Sequence, residues 1–225
     1  MLDSILVPIH RDGVRFVVMF GVATGVLWLF SQTLGLIGAA LTLWCIYFFR
    51  NPDRVPPARP GVVVAPADGV IVAIGPAPPP EELDMGAAPR TRISIFLNLF
   101  DVHVNRVPAE GVIAAAHYRP GRFLNASLDK ASDDNERQSV RMTTSAGHDI
   151  AFVQIAGLIA RRIVCQLIAG QQVEIGARFG IIRFGSRLDV YLDQGLEVLV
   201  LKGQRAVGGE TVLAQPTAGA MAGEP

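Results

Sequence analysis

The sequence predicts a mainly β globular domain, α+β overall, with a hydrophobic helical hairpin at its N-terminus. Three observations carry that expectation. From Phe16 to Phe49, "FVVMFGVATGVLWLFSQTLGLIGAALTLWCIYFF", no residue is charged. After Asn51 the chain becomes a series of short apolar runs, rich in β-branched residues and cut by Gly and Pro, which is the pattern of strands and turns. Strand-like and helix-like segments do not alternate along the chain, which disfavours a doubly wound parallel sheet.

The apolar run comes first. As one helix it would extend about 50 Å, against roughly 30 Å of bilayer hydrocarbon. The polar break "SQTLG", Ser31 to Gly35, divides it into two halves of about 15 residues, each near 23 Å long. Two such helices form a hairpin that suits a thinned bilayer or a re-entrant anchor. Arg11 and Arg15 flank one end, Arg50 and Arg54 the other. In a hairpin both basic flanks share one side, which the positive-inside rule makes cytoplasmic. A cleaved secretory signal is disfavoured, because the run is too long and no A-x-A-like site follows it. The expectation is an anchor over 1–55 in the cell membrane, with a domain over 56–225 on its cytoplasmic face.

The Pro-rich stretch "NPDRVPPARPG", Asn51 to Gly61, reads as the exit from anchor to domain. Strands are expected in "GVVVAPADGVIVAIG", "TRISIFLNLFDVHVNRV", "EGVIAAAHY", "SVRMTTSAGHDIAFVQIAG", "IIRFGSRLDVYL" and "LEVLVLKGQ". "PAPPPEELDMGAAPR", residues 76–90, reads as a loop, and "NASLDKASDDNERQ", residues 125–138, as a polar excursion. "GLIARRIVCQL", residues 157–167, fits either a short helix or a strand.

Composition removes several functions. The formal net charge is zero, so nothing global favours a nucleic-acid partner. Lys130 and Lys202 are the only lysines, which leaves few candidates for a pyridoxal Schiff base. Cys45 and Cys165 do not make a disulfide framework. The histidines, His10, His103, His117 and His148, show no metal-ligand spacing, and no metal is expected.

Three places could carry chemistry. Asp68 lies in a Pro-Ala-Asp-Gly turn, where an Asx-turn role is the bland alternative. His103 lies on an apolar strand, with Asp101 and Asn105 at the alternating positions of the same face. Ser186 follows Gly185 between Arg183 and Arg187, and Gly-Ser is also an ordinary turn pair. An Asp, a His and a Ser can form a hydrolase-type relay. However, the G-x-S-x-G elbow of an α/β-hydrolase is missing.

Taken together, "PADG", "FLNLFDVHVNRVP" and "RFGSRLDVYL" resemble the phosphatidylserine decarboxylase proenzymes, in particular their short, archaeal-type subfamily. The resemblance spans essentially the whole chain. It implies that Ser186 attacks the Gly185 carbonyl and that the chain cuts itself into a large piece, 1–185, and a small one, 186–225. Residue 186 would become a covalent pyruvoyl cofactor that condenses with the substrate amine and accepts the electrons left by CO2 loss. It also implies His103 as the base and Asp68 as its acidic partner. Longer members carry a second histidine, spaced H-x-x-H, where this chain has Arg106. His117 is then an alternative imidazole, and the division of labour stays open.

The resemblance implies phosphatidylserine as substrate, phosphatidylethanolamine as product, and membrane lipids as surroundings. A homo-oligomer stays open. Arg119, Arg122, Arg161 and Arg162 are candidate guanidinium partners for the lipid phosphate. Two alternatives remain. One is a self-cleaving decarboxylase acting on another amine-bearing lipid or amino acid. The other is a non-enzymatic, membrane-tethered β module, since "GQRAVGGETVLAQ" resembles a carrier-type hairpin, although Lys202 lacks the M-K-M context.

Overall fold

The structure is a computed structural model and describes residues 7–122, 135–157, 162–183 and 185–217. It is mainly β, with two N-terminal helices. Helix α1 (Arg11–Phe30) and helix α2 (Gln32–Phe48) form the hairpin. The break is a single residue, Ser31, in extended conformation at φ −163° and ψ 132°. The helices are longer than the two equal halves read from hydropathy. His10 accepts the Asp12 N–H through Nδ1 at 3.3 Å, which caps α1 ahead of its first apolar residue. At 1.5 Å per residue α1 is about 30 Å long, enough to cross a hydrocarbon layer.

Small residues let the two helices approach. A Cβ on Gly38 would lie 2.8 Å from Thr24 Oγ1, and one on Gly35 would strike the Trp28 ring at 2.5 Å. The Thr24 and Thr42 hydroxyls meet across the hairpin at 2.9 Å.

An eight-stranded antiparallel sheet forms the body. Its strands run in the order β13 (Arg205–Ala206), β2 (Gly69–Ala77), β3 (Arg90–Leu97), β11 (Ser186–Leu192), β7 (Asp149–Ala156), β6 (Arg137–Thr144), β5 (Gly111–Arg119) and β9 (Gln172–Val173). Two three-stranded sheets flank it: β4 (Val104–Arg106), β10 (Arg178–Ile182) and β8 (Ile163–Cys165) in the order β4-β10-β8, and β1 (Val63–Val64), β14 (Val212–Pro216) and β12 (Leu196–Val198) in the order β1-β14-β12. The ambiguous "GLIARRIVCQL" therefore contains a strand; its residues 158–161 lie outside the described residues, as does the polar excursion up to 134. The 76–90 stretch is not all loop: Pro76 and Ala77 close β2, a 3-10 turn spans Glu81–Leu83, and Arg90 opens β3.

Strand β11 is central and fully buried. Leu188, Val190 and Leu192 face the main core with Ile93, Ile95, Phe152 and Ile113. Arg187 and Asp189 point to the other face and form a buried ion pair at 2.8 Å. A lone charge there would be costly to bury, and the pairing offsets that cost.

The hairpin is not a loose tether. Phe48 and Phe49, at its C-terminal end, pack with Cys45, Val102, Val104 and Ile181 in a second core. The link to the domain is clamped as well: Arg178 binds Asp53 at 2.6 Å and Asn51 at 2.7 Å, and Arg54 binds Asp68 at 2.8 Å.

Candidate active site

Ser186 is the first residue of β11, pairing with Leu97 of β3 on one side and Ala156 of β7 on the other. Alternation along the strand turns its side chain to the face of Leu188 and Val190. It is fully buried, and its Oγ has no hydrogen-bond partner among the described residues. Such a hydroxyl in a native structure calls for an explanation, and a reacting group is one. Gly185, before it, sits at φ +70° with open space where a Cβ would be. An L-residue with a side chain would be strained in this left-handed region, so the glycine answers a backbone need.

His103 comes from the short link between β3 and β4 and is fully buried. Its Nδ1 lies 3.0 Å from the Asp101 carbonyl oxygen. A carbonyl only accepts, so Nδ1 carries the proton and Nε2 keeps its lone pair. Nε2 in turn accepts the Gly185 N–H at 3.4 Å. The imidazole is thus held against the Gly185 backbone, one residue from Ser186. Phe48 of α2 lies over it, with ring centroids 4.1 Å apart and planes tilted by 35°. Burial pushes the His103 pKa down to about 4, against the opposing pull of the Asp101 carbonyl and charge. The ring is neutral near pH 7, as a base requires, and does not hold a standing proton to donate.

The Asp101 carboxylate fixes this corner by accepting the Asn98 N–H at 2.9 Å and pairing with the Arg205 guanidinium. Asp68 lies within electrostatic range of Asp101, with both its oxygens engaged. One of its oxygens binds Arg54, and the other accepts the Gly208 N–H at 2.7 Å. Burial pushes its carboxyl upward, while Gly208 and Arg54 hold it down. It bonds to neither His103 nor Ser186 among the described residues; the group that orients the imidazole is the Asp101 backbone.

His117 is exposed on β5 and paired with Ser139 of β6. Strands β6 and β7 stand between it and β11, which places it roughly 14 Å from that strand's axis. Arg106, at the position of the second family histidine, is a buried clamp that donates to the Gly176 carbonyl at 2.8 Å and the Pro52 carbonyl at 2.6 Å. Burial lowers its pKa to about 10, so it stays charged.

The guanidinium candidates divide. Arg119 and Arg122 are exposed at the same end of the sheet as Ser186, but on or just beyond β5. Arg161 lies outside the described residues. Arg162 is exposed, and its carbonyl accepts the Arg183 N–H at 3.4 Å.

Sequence reasoning did not single out Phe48, or Gln154 on β7. Gln154 donates to Asn105 Oδ1 at 2.7 Å, which leaves Asn105 Nδ2 and Gln154 Oε1 buried without partners among the described residues. The polar alternation His103–Asn105 is a visible signal for half of this pair, although the structure puts only Asn105 on a strand and His103 just before it, not on a strand as the sequence suggests. Among the described residues no cluster of His, Cys, Asp or Glu could hold a metal ion.

The site thus combines a buried hydroxyl unpartnered among the described residues, a glycine in left-handed backbone before it and a neutral imidazole that accepts that glycine's N–H. A family model described as phosphatidylserine decarboxylase matches residues 41–214. The phosphatidylserine decarboxylase proenzyme of Paramagnetospirillum magneticum is 58% identical over 219 residues, covering 96% of this chain and 91% of that one. The proenzymes of Cereibacter sphaeroides (55% over 217 residues, 96% and 94% covered) and Rickettsia akari (58% over 206, 92% and 89%) are similar too. These relatives are bacterial and do not single out an archaeal-type subfamily. The match runs through the hairpin root, the histidine corner and β11 alike, and this chain belongs to the phosphatidylserine decarboxylase family.

Proposed function

We infer that this chain cuts itself between Gly185 and Ser186 and then decarboxylates phosphatidylserine to phosphatidylethanolamine. The observation that carries the reading is the buried Ser186 hydroxyl, unpartnered among the described residues, one residue from a glycine that His103 Nε2 contacts. In the cutting step, His103 takes the hydroxyl proton and Oγ attacks the Gly185 carbonyl carbon. The peptide C–N bond breaks, giving an ester. Loss of the α-proton of residue 186 then expels the Gly185 carboxylate and leaves dehydroalanine, which water converts to a terminal pyruvoyl group and ammonia.

The residues fit that group. Ser186 starts a central, fully buried strand, and pairing with β3 and β7 from Ser186 onward would hold the severed end in register. When formed, the ketone supplies an electron sink for the carbanion left by CO2 loss. The chain's own residues do the rest. His103 excludes bulk water from one side together with Phe48. Asn105 Nδ2, two residues further along, offers a buried donor to an oxyanion or carboxylate.

The domain plan follows: 1–55 as the lipid-inserting segment, with its root built into the site, and 56–225 as the decarboxylase, with phosphatidylserine and surrounding membrane lipids as partners. The side on which the basic flanks lie supports a cytoplasmic face.

Mass analysis of the denatured protein tests this, together with CO2 release from labelled phosphatidylserine. The wild type should give pieces 1–185 and 186–225 and release CO2. Ser186→Ala should stay whole and inactive, and a cut Ser186→Ala chain would overturn the assignment.

A further inference from the structure

We propose that Arg183, Arg15 and Arg162 form the subsite for the phosphodiester of the lipid substrate. The proposal rests on the functional reading above and adds to it the residues that recognise the headgroup.

Arg183 lies two residues before Gly185 and is more than nine-tenths buried, and its Nε has no hydrogen-bond partner among the described residues. Its guanidinium is placed by α1. Its Cζ stands 5.3 Å from the centroid of the Phe16 ring, which also carries the Arg15 guanidinium at 5.0 Å. Its backbone N–H donates to the Arg162 carbonyl at 3.4 Å, which brings the base of β8 to the same corner. Two acidic groups lie here: Asp12, 3.9 Å from Arg183, and Glu136, which accepts the Ile163 N–H at 3.4 Å beside Arg162. Burial lowers the Arg183 pKa, the Arg15 and Arg162 charges add to that, and Asp12 opposes it. The Arg183 Nε, unpartnered among the described residues and sharing the Phe16 ring with Arg15, is a donor that an anion would satisfy, and guanidinium suits phosphate oxygens.

Depth supports the same assignment. Arg15 directly precedes Phe16, where the uncharged stretch begins, and that stretch ends at Phe49 before Arg50. With the hairpin in lipid, this level is the hydrocarbon boundary, where phosphodiesters lie. The Gly185–Ser186 bond is held at that level too, because Phe48 covers His103 and Phe16 covers Arg183. A phosphate bound here presents its serine amine, a few bonds away, to residue 186. Arg119 and Arg122 sit on the far side of β7 and β6 from that bond.

The test uses the full, self-cut enzyme in detergent–phosphatidylserine mixed micelles. Arg15→Gln and Arg183→Lys should each raise KM for the lipid roughly tenfold or more while kcat changes by less than about threefold. Arg11→Gln, an exposed change at the same helix end, should leave KM in place, which separates a built subsite from general surface charge. Glycerophosphoserine should bind the wild type and lose affinity in Arg15→Gln. Unchanged KM in the first two variants, or an equal rise in Arg11→Gln, overturns the proposal. If Arg183→Lys fails to cut itself, Arg15→Gln decides. If the wild type cuts itself but releases no CO2 from phosphatidylserine, the functional reading fails, and glycerophosphoserine binding still judges the subsite.

Discussion

The two ends of the hairpin are built from the same kinds of residue and have opposite fates. At the tip, Leu29 and Phe30 are 85% and 78% exposed; at the root, Phe48 and Phe49 are 0% exposed. Hydropathy alone does not separate them. At the root the apolar side chains find protein partners, Val102, Val104 and Ile181, and one of them lies over the imidazole. At the tip no such partner exists among the described residues, and the exposed apolar surface is of a kind that suits a lipid phase. One apolar segment thus does two jobs, and the boundary between them is the place where a membrane substrate must meet the site.

The largest expected effect comes from breaking the root. Phe48→Ala should destabilise the fold by about 3–5 kcal/mol, the range for emptying a large buried aromatic site. It should also slow self-cutting, because His103 loses its cover; denaturant melts and fragment analysis check both. Gly13→Ala is next. Its Cβ would lie 2.4 Å from Phe49 Cβ and Cγ, so roughly 1–3 kcal/mol of overpacking is expected. The same change at Gly21, where nothing lies within 4 Å, should be harmless or raise stability by up to about 1 kcal/mol. Equal melting shifts in the two glycine variants would erase the contrast between root and shaft. Smallest for the fold is Leu29→Ser with Phe30→Ser, which should leave melting and self-cutting alone while weakening co-flotation with vesicles.

The root also sets a pH dependence. The unfolded chain takes up a proton at the ordinary imidazole value of 6.5, while His103 in the fold resists until about 4. Its contribution to stability is therefore complete above pH 6.5 and is lost as pH falls toward 4. In His103→Gln the melting curve should flatten across that window. An unchanged slope would show that the imidazole is not buried neutral.

Much of this was legible in the sequence. A helix break within Ser31 to Gly35 and the Gly-Ser pair were visible because local pattern and backbone need coincide there, whereas the single strand-like run 181–192 is divided between β10 and β11 at that pair. The pairing of Asp68 was not. A Pro-Ala-Asp-Gly turn says that a carboxylate is present, but Arg54 and Gly208, which occupy its oxygens, come from distant segments. The orienting group for His103 was hidden for a related reason, since a backbone carbonyl has no sequence signature. Strands β9 and β13 are two residues long, too short to show a period. Phe48 over His103 is a tertiary contact, and composition had assigned that residue to lipid.

The central claim is that a buried, neutral His103 turns the Ser186 hydroxyl on the bond before it. The most direct measurement is the mass of freshly folded His103→Gln protein, separated under denaturing conditions beside the wild type. The account predicts two pieces meeting between Gly185 and Ser186 in the wild type, and one whole chain in the variant. A His103→Gln chain that severs itself as fast as the wild type would contradict it.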